Sequence, residues 1–139
     1  MRALIDTNVL IDYISRREPH YSTAFKIVDA CDKSVFVGCI AAHSIPDIYY
    51  ILRKSHTPAK RREALLLMCK IFEVESLDKR KLVDALADER FTDFEDCLQS
   101  LSALKFRADY IVTRNPKDFE RSAIPALTPD EFSRRFLSD

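Results

Sequence analysis

The chain has 139 residues, of which 47% are hydrophobic and 32% are charged, and its 22 basic residues are matched by 22 acidic residues. This length suits one hydrophobic core, so we expect a single domain over residues 1–139. The neutral net charge by itself argues against a general affinity for nucleic acid, and the longest apolar runs are too short to span a membrane.

The N-terminal sequence and the cysteines indicate a cytoplasmic protein. Only Arg2 precedes a very short apolar stretch, which lacks the long apolar region and the cleavage site of a signal peptide. Cys31, Cys39, Cys69 and Cys97 form no C-x-x-C pair and lie in apolar patterns, so we predict core thiols rather than a zinc site or disulfides. The three histidines are scattered too, so we expect any bound metal to be held by oxygen.

Short β-type runs alternate with helical periodicities along the chain. The predicted order is strand 2–6, helix 8–17, helix 20–32, strand 35–40, helix 43–54, helix 58–72, strand 73–77, helix 79–89, helix 92–108, strand 109–114 and helix 128–137. The predicted helix caps are Thr7 or Asn8, Ser44, Thr92 in a capping box with Glu95, and Thr128. Strands separated by helices predict an α/β fold with a parallel sheet and helices on both faces.

Acidic and amide residues recur where the predicted strands end and where the helices begin. In parallel α/β sheets, ligands bind at the carboxyl ends of the strands, so we expect these residues at one edge. They are Asp6, Asp47, Asp93, Asp96, Asn115 and Asp118. Converging carboxylates repel one another unless a divalent cation lies between them, and oxygen ligands suit Mg²⁺ or Mn²⁺. Such an ion can activate water, which predicts metal-dependent phosphodiester hydrolysis.

Asp6 is the strongest candidate ligand because it ends an apolar strand. A carboxylate at the edge of a core needs hydrogen bonds, a cation or a metal to replace its lost hydration. Backbone N–H groups of the helix that begins near Asn8 are the simpler alternative partner. Thr7, Asn8 and Thr113 are candidates to orient the ligands or water. Asp12 lies further along the same helix, and we expect it at the surface.

The other acids also have simpler interpretations. Asp47, Asp93 and Asp96 could act only as favourable charges in the first turns of helices. We attribute Glu95 to the capping box with Thr92 rather than to catalysis.

Charge is segregated along the chain although the total is neutral. Residues 51–70 contain six basic residues and one acid, whereas residues 84–96 contain six acids and one basic residue. Each run alone is typical of a solvated helix surface.

Four segments in this order resemble the PIN domain family, small α/β metal-dependent ribonucleases that include VapC-type toxins. They are "LIDTNVLID", "IPDIYYIL", "DFEDCLQSLSAL" and "ADYIVTRNPKDF". The resemblance covers nearly the whole chain. It implies a three-layer fold in which helices flank a central parallel sheet of about four to five strands.

The resemblance also implies a metal site that binds Mg²⁺ or Mn²⁺. By position, the family's catalytic acids fall on Asp6, Asp47, Asp93 and Asp96, and Asp118 is a further candidate metal ligand.

Two positions depart from the family's pattern. Asp47 stands where the family usually has glutamate, and Asn115 stands where it often has aspartate. We therefore expect Asp47 to reach the metal through water, and Asn115 to support the site as a neutral group together with Thr7, Asn8 and Thr113.

The leading hypothesis is an endoribonuclease, with RNA as its partner and without membrane attachment. In this hypothesis a basic stretch guides the phosphate backbone toward the acids. The stretch comprises Arg53, Lys54, Lys60, Arg61 and Arg62. By analogy with the family, the protein is the toxin of a toxin–antitoxin pair or a solitary nuclease, and it forms a homodimer.

Two other functions compete with this hypothesis. The departures at Asp47 and Asn115 favour a catalytically weak or inactive PIN-like module that binds RNA or protein. A phosphotransferase of the haloacid dehalogenase kind also begins with an aspartate at the end of a strand, but it needs a second acid where this chain has Asn8.

Overall fold

The structure, a computed structural model, describes residues 1–137. Its centre is a parallel sheet of five strands in the order β3-β2-β1-β4-β5. The strands are β1 (Arg2–Ile5), β2 (Val37–Ala41), β3 (Glu73–Glu75), β4 (Tyr110–Val112) and β5 (Ala126–Leu127). This confirms the predicted parallel α/β fold. The fifth strand had no predicted residues because two residues are too few to show a pattern.

Seven α-helices flank the sheet in the described part of the chain. They are α1 (Thr7–Ile14), α2 (Tyr21–Asp32), α3 (Ser44–Ile51), α4 (Pro58–Ile71), α5 (Lys79–Ala87), α6 (Phe94–Phe106) and α7 (Pro129–Phe136). Two short 3₁₀ segments, Leu52–Lys54 and Pro116–Phe119, follow α3 and β4. No helix within residues 1–137 combines the length and the apolar character needed to cross a membrane.

Alternating side chains of β1 build a separate core on each face of the sheet. Ala3 and Ile5 pack with buried residues of α1 and α2, on the face that also receives α7. Leu4 points to the other face and packs with Ala103 and Phe106 of α6. The sheet is therefore a middle layer between two layers of helices.

The chain reverses its direction of winding between β1 and β4. The strands on one side of β1 are β2 and β3, and the chain then crosses to β4 on the other side. The amide of Asp6 donates to the carbonyl oxygen of Val112 at 2.9 Å, which joins the carboxyl ends of the two strands. Such a reversal opens a crevice at this edge of the sheet, and Asp6 and Thr113 stand at it.

Gly38 in β2 allows α2 and the end of α4 to approach the sheet closely. A Cβ atom at this position would lie 2.6 Å from the ring of Phe72 and 2.7 Å from Sγ of Cys31. The only glycine of the chain is thus required by packing rather than by a turn.

Three predicted helix caps are wrong. Asp6 caps α1 in place of Thr7 or Asn8. Ser44 is the first residue of α3, and its side chain points to other helices. Asp93 caps α6 in place of Thr92, so the predicted capping box does not form. The cap of α7 agrees with expectation, since Thr128 accepts from the amide of Glu131. Thr57, for which no prediction was made, caps α4.

Cys31, Cys39 and Cys97 are buried as predicted, but Cys69, in α4, is exposed. Asp12 was expected at the surface and is instead buried.

Candidate active site

Asp6 lies at the carboxyl end of β1, and three groups hold its carboxylate. Oδ1 accepts from the amide of Thr7 at 2.7 Å. Oδ2 accepts from Oγ1 of Thr113 at 2.8 Å and from the side-chain amide of Asn8 at 3.3 Å. The simpler alternative, a partner among helix N–H groups, is therefore partly correct. Burial nevertheless raises the pKa of Asp6 to about 6, with a further contribution from Glu95, because these donors replace its hydration incompletely.

Asp93 and Asp96 open α6 beside this edge. Oδ1 of Asp93 accepts from the amides of Glu95 and Asp96, at 2.8 and 3.2 Å, and so fixes the first turn of the helix. One carboxylate oxygen from each of Asp93, Glu95 and Asp96 lies within 4.8 Å of the others. Burial and then the charges of Asp93, Glu95, Asp6 and Asp118 raise the pKa of Asp96 to about 7.

Glu95 lies in the acidic cluster, and the predicted capping box with Thr92 does not form. Its Oε2 lies 2.6 Å from Nε2 of His43 and accepts from Nε2 of Gln99 at 2.8 Å. The side-chain amide of Gln99, which is fully buried, also donates to Ser44 and Thr7 at 3.0 and 3.2 Å. This network ties α1, α3 and α6 together around the acids.

His43 and Glu95 were not identified from the sequence because their contact depends on how α3 packs against α6. The two residues are 52 positions apart, and neither lies in a spacing that signals a site. The sequence contained one signal. Asp93, directly before the helix, is as good a cap as Thr92, and with Asp93 as the cap no capping box explains Glu95.

The remaining acids take different positions around the cluster. Asp47 is exposed in the first turn of α3, and its carboxylate shares a group of ligand atoms within 4.8 Å with His43 and Glu95. Asp118, in the 3₁₀ segment after β4, lines a cleft with Asp93 and Asp96. The topology thus brings the five predicted acids to one edge of the sheet.

The loop after β4 supports Asp6 from the side. Thr113 is fully buried, and its hydroxyl, which donates to Asp6, accepts from the amide of Asn115 at 3.1 Å. Within residues 1–137 the side chain of Asn115 makes no hydrogen bond, so this residue acts through its backbone. Arg114 pairs with buried Asp12 at 2.7 Å and explains the burial of that acid.

Three of the predicted RNA-binding residues have different environments. Arg61 is buried, donates to the carbonyl oxygen of Tyr49 at 2.8 Å and stacks 4.1 Å from the centre of the Tyr49 ring. It is therefore committed to packing, which corrects its expected exposure. Arg53 lies over the ring of exposed Tyr50. Lys60 shares a cleft with Ile14, Ser15 and Arg16, at the opposite end of α1 from Asp6.

The donor set fits a divalent cation with oxygen preference. Carboxylates from β1 and from the start of α6 stand together, and within residues 1–137 neither Asp6 nor Asp96 forms an ion pair with a basic side chain. A cation would offset the burial and the repulsion that raise both pKa values. His43 adds a nitrogen donor close to Asp47 and Glu95, which the expectation of oxygen ligands alone had left out.

Residues 2–117 match the PIN domain family, and the chain belongs to it. This confirms the resemblance drawn from the sequence. No curated protein matches the chain significantly.

Solved structures with toxin components share the fold. VapBC2 from Rickettsia felis, bound to a promoter DNA fragment, has a TM-score of 0.70 and 18% identity over 92% of this chain and 98% of that chain. A toxin–antitoxin complex from Klebsiella pneumoniae has a TM-score of 0.67 and 25% identity over 91% and 97%. VapC20 from Mycobacterium tuberculosis, described as a sarcin–ricin loop cleaving toxin, has a TM-score of 0.62 and 14% identity over 78% and 86%.

Proposed function

We propose that this protein is a cytoplasmic endoribonuclease that depends on Mg²⁺ or Mn²⁺ and hydrolyses phosphodiester bonds of RNA. One observation carries the proposal: the desolvated carboxylates of Asp6 and Asp96 stand at one edge with Asp93, and no basic side chain within residues 1–137 pairs with either of the first two. Membership of the PIN domain family supports the same chemistry.

Asp6, Asp93 and Asp96 would hold the cation, with Asp118 beside them and Asp47 reaching it through water. When bound, the cation would supply activation of water and stabilisation of the charge that develops on the phosphodiester.

The protein's own groups set the geometry of this reaction. Thr113 and Thr7 fix both oxygens of Asp6. His43 and Gln99 both contact Oε2 of Glu95. Within residues 1–137 Oε1 has no hydrogen-bond partner, so it would accept a proton from the attacking water. The water oxygen would bond to phosphorus, the bond between phosphorus and the leaving oxygen would break, and the leaving oxygen would take up a proton from solvent.

Cleavage of labelled single-stranded RNA by the purified protein tests this function. We expect cleavage with Mn²⁺ or Mg²⁺ and none with EDTA. Asp6→Asn and Asp96→Asn should reduce the rate by at least a hundredfold, because each removes a charged ligand, and Asp93→Asn should have a smaller effect. Asp32→Asn is the matched control, since Asp32 is an exposed acid at the end of α2.

Equal rates for Asp6→Asn and the wild-type protein would overturn the assignment of the site. RNA binding without cleavage in either metal would favour the non-catalytic binding module instead.

We also propose that the protein is the toxin of a toxin–antitoxin pair and forms a homodimer. The shared fold with toxin components supports this biological role. Induced expression should arrest growth, whereas expression of Asp6→Asn at the same level should not. Coexpression with the protein of the neighbouring gene should restore growth and give a complex that copurifies. Sedimentation of the isolated protein would report the dimer.

A further inference from the structure

A cleft of about 270 Å³ opens beside the acids, between the start of α6 and the segment that follows β4. Asp93 and Asp96 line one wall, and Asp118 lines the other. The second wall also contains two basic residues, Lys117 and Arg121, and a second acid, Glu120. These cations lie outside the basic stretch that the sequence analysis singled out.

Lys117 and Arg121 are exposed, and neither forms a hydrogen bond or an ion pair from its side chain within residues 1–137. Arg90, at the rim of the same cleft, differs from them because both its Nε and Nη2 bind Asp88, at 2.9 and 2.7 Å. Lys117 and Arg121 therefore keep their full capacity to bind an anion.

The segment that carries these two cations is fixed in place. Phe119 lies between them in the chain and is buried in the core beneath α6. One residue beyond Arg121, Oγ of Ser122 lies 2.6 Å from Oγ of Ser100 in α6. Binding by Lys117 and Arg121 thus requires ordering of their side chains but not of their backbone.

A nucleic acid strand needs local positive charge to approach this acidic edge. Lys60 of the predicted basic stretch lies at the opposite end of α1. Phe91 is half-buried and lines the same cleft as Lys117 and Arg121. An aromatic ring beside cations is the combination that holds single-stranded nucleic acid.

We propose that Lys117 and Arg121 bind phosphates of single-stranded RNA next to the bond that is cleaved, and so position the strand across the acids. This inference rests on the proposed ribonuclease function. The two residues bind substrate and take no part in the bond-breaking step. They should recognise the backbone, so their contribution should be the same for different RNA sequences.

Binding titrations of a fluorescent single-stranded RNA at several salt concentrations test the inference. The proteins are Asp6→Asn, in which cleavage is blocked, and the same protein with Lys117→Gln and Arg121→Gln. Each lost phosphate contact should reduce the slope of log affinity against log salt by about 0.7. We therefore expect the double substitution to flatten the slope by about 1.4 and each single substitution by half of that.

Arg134→Gln with Arg135→Gln is the matched control, because both arginines are exposed in the last turn of α7. This pair removes the same charge from a helix on the opposite face of the sheet from α6, and it should change the slope less. In the cleaving protein, Lys117→Gln with Arg121→Gln should raise KM severalfold and leave kcat nearly unchanged, since the contacts are the same in the ground and transition states.

Equal slopes for the cleft variant and the control would overturn the inference. If the wild-type protein still cleaved RNA, the proposed function would stand. A change confined to Mn²⁺ affinity would also overturn it, because the two cations would then only balance the acids. Failure of the wild-type protein to bind or cleave RNA with either metal would overturn both. The single substitutions and thermal unfolding exclude misfolding as the cause of a loss.

Discussion

At the scale of single residues, Asp96 has the most unfavourable environment for a charged carboxylate among the acids of the site. Burial and four neighbouring acids raise its pKa from 3.8 to about 7. The folded protein therefore holds this proton at a pH where the unfolded chain has released it. The stability that comes from the protonated carboxyl is complete below about pH 3.8 and is lost as the pH rises through about 7.

This sign predicts how Asp96→Asn behaves without metal. In EDTA, the variant should gain thermal stability relative to the wild-type protein as the pH rises from about 5 to 8, because asparagine never acquires the repelled charge. Melting temperatures measured across this range check the prediction, with Asp32→Asn as the control. A difference that does not change with pH would contradict the assigned cause.

Residues also show where reasoning from sequence succeeds. Asp6 was identified because an acid that ends an apolar strand has few simple explanations, and it is held by Thr7, Asn8 and Thr113 as expected. Glu95 was missed because a local explanation, the capping box, accounted for it. Its contact with His43 is a tertiary contact, and no local pattern encodes it.

At the scale of secondary structure elements, α4 shows that a run of basic residues need not form one basic surface. Arg61 turns inward and uses its guanidinium on Tyr49 of α3, whereas its neighbour Arg62 is exposed. Adjacent residues of a helix point about 100° apart, so charge counted along the sequence overstates the charge on any face.

We expect Arg61→Gln to destabilise the protein by roughly 1–3 kcal/mol, because it removes a charged hydrogen bond and a cation–π contact. Arg62→Gln should change stability by less than about 0.5 kcal/mol, and it serves as the matched control. Urea unfolding measures both values. Equal stability of the two variants would show that the contact of Arg61 with Tyr49 adds nothing to the fold.

Gly38 offers a second test of element packing, since the strand leaves no space for a side chain there. A methyl group would meet Phe72 at 2.6 Å and Cys31 at 2.7 Å. We expect Gly38→Ala to cost about 1–3 kcal/mol through the shift it forces on these side chains. Combining Gly38→Ala with Phe72→Leu, which replaces the opposing ring by a smaller side chain, should recover part of the lost stability. If the double variant lost as much stability in urea unfolding as the two single variants together, the Phe72 ring would not be what excludes a side chain at position 38.

At the scale of the whole molecule, the fold was predictable because alternation of strands and helices leaves few topologies. The position of the site followed from the same rule, since parallel strands bring Asp6 and the loop after β4 to one edge. The sequence alone could not separate the residues that face the crevice from those that face the core. Asp12 and Arg61 were therefore expected at the surface, although both are buried. Their partners, Arg114 and Tyr49, come from other elements.

Under the proposed function, the stability of the whole protein should depend on the cation that the acidic edge binds. A cation that binds only the folded state stabilises it by about 2.7 kcal/mol when its concentration is 100 times its dissociation constant. We therefore expect the melting temperature to rise with Mn²⁺ or Mg²⁺ concentration, and to keep rising logarithmically above the dissociation constant.

Asp32→Asn should show the same rise. Asp6→Asn and Asp96→Asn should start more stable in EDTA and gain little from metal, because each has lost both the repulsion and a ligand. Calorimetry at a pH of about 7.5, above the raised pKa values, measures the dependence without any RNA present. A rise of equal size in Asp6→Asn, Asp96→Asn and the wild-type protein would place the cation elsewhere on the molecule.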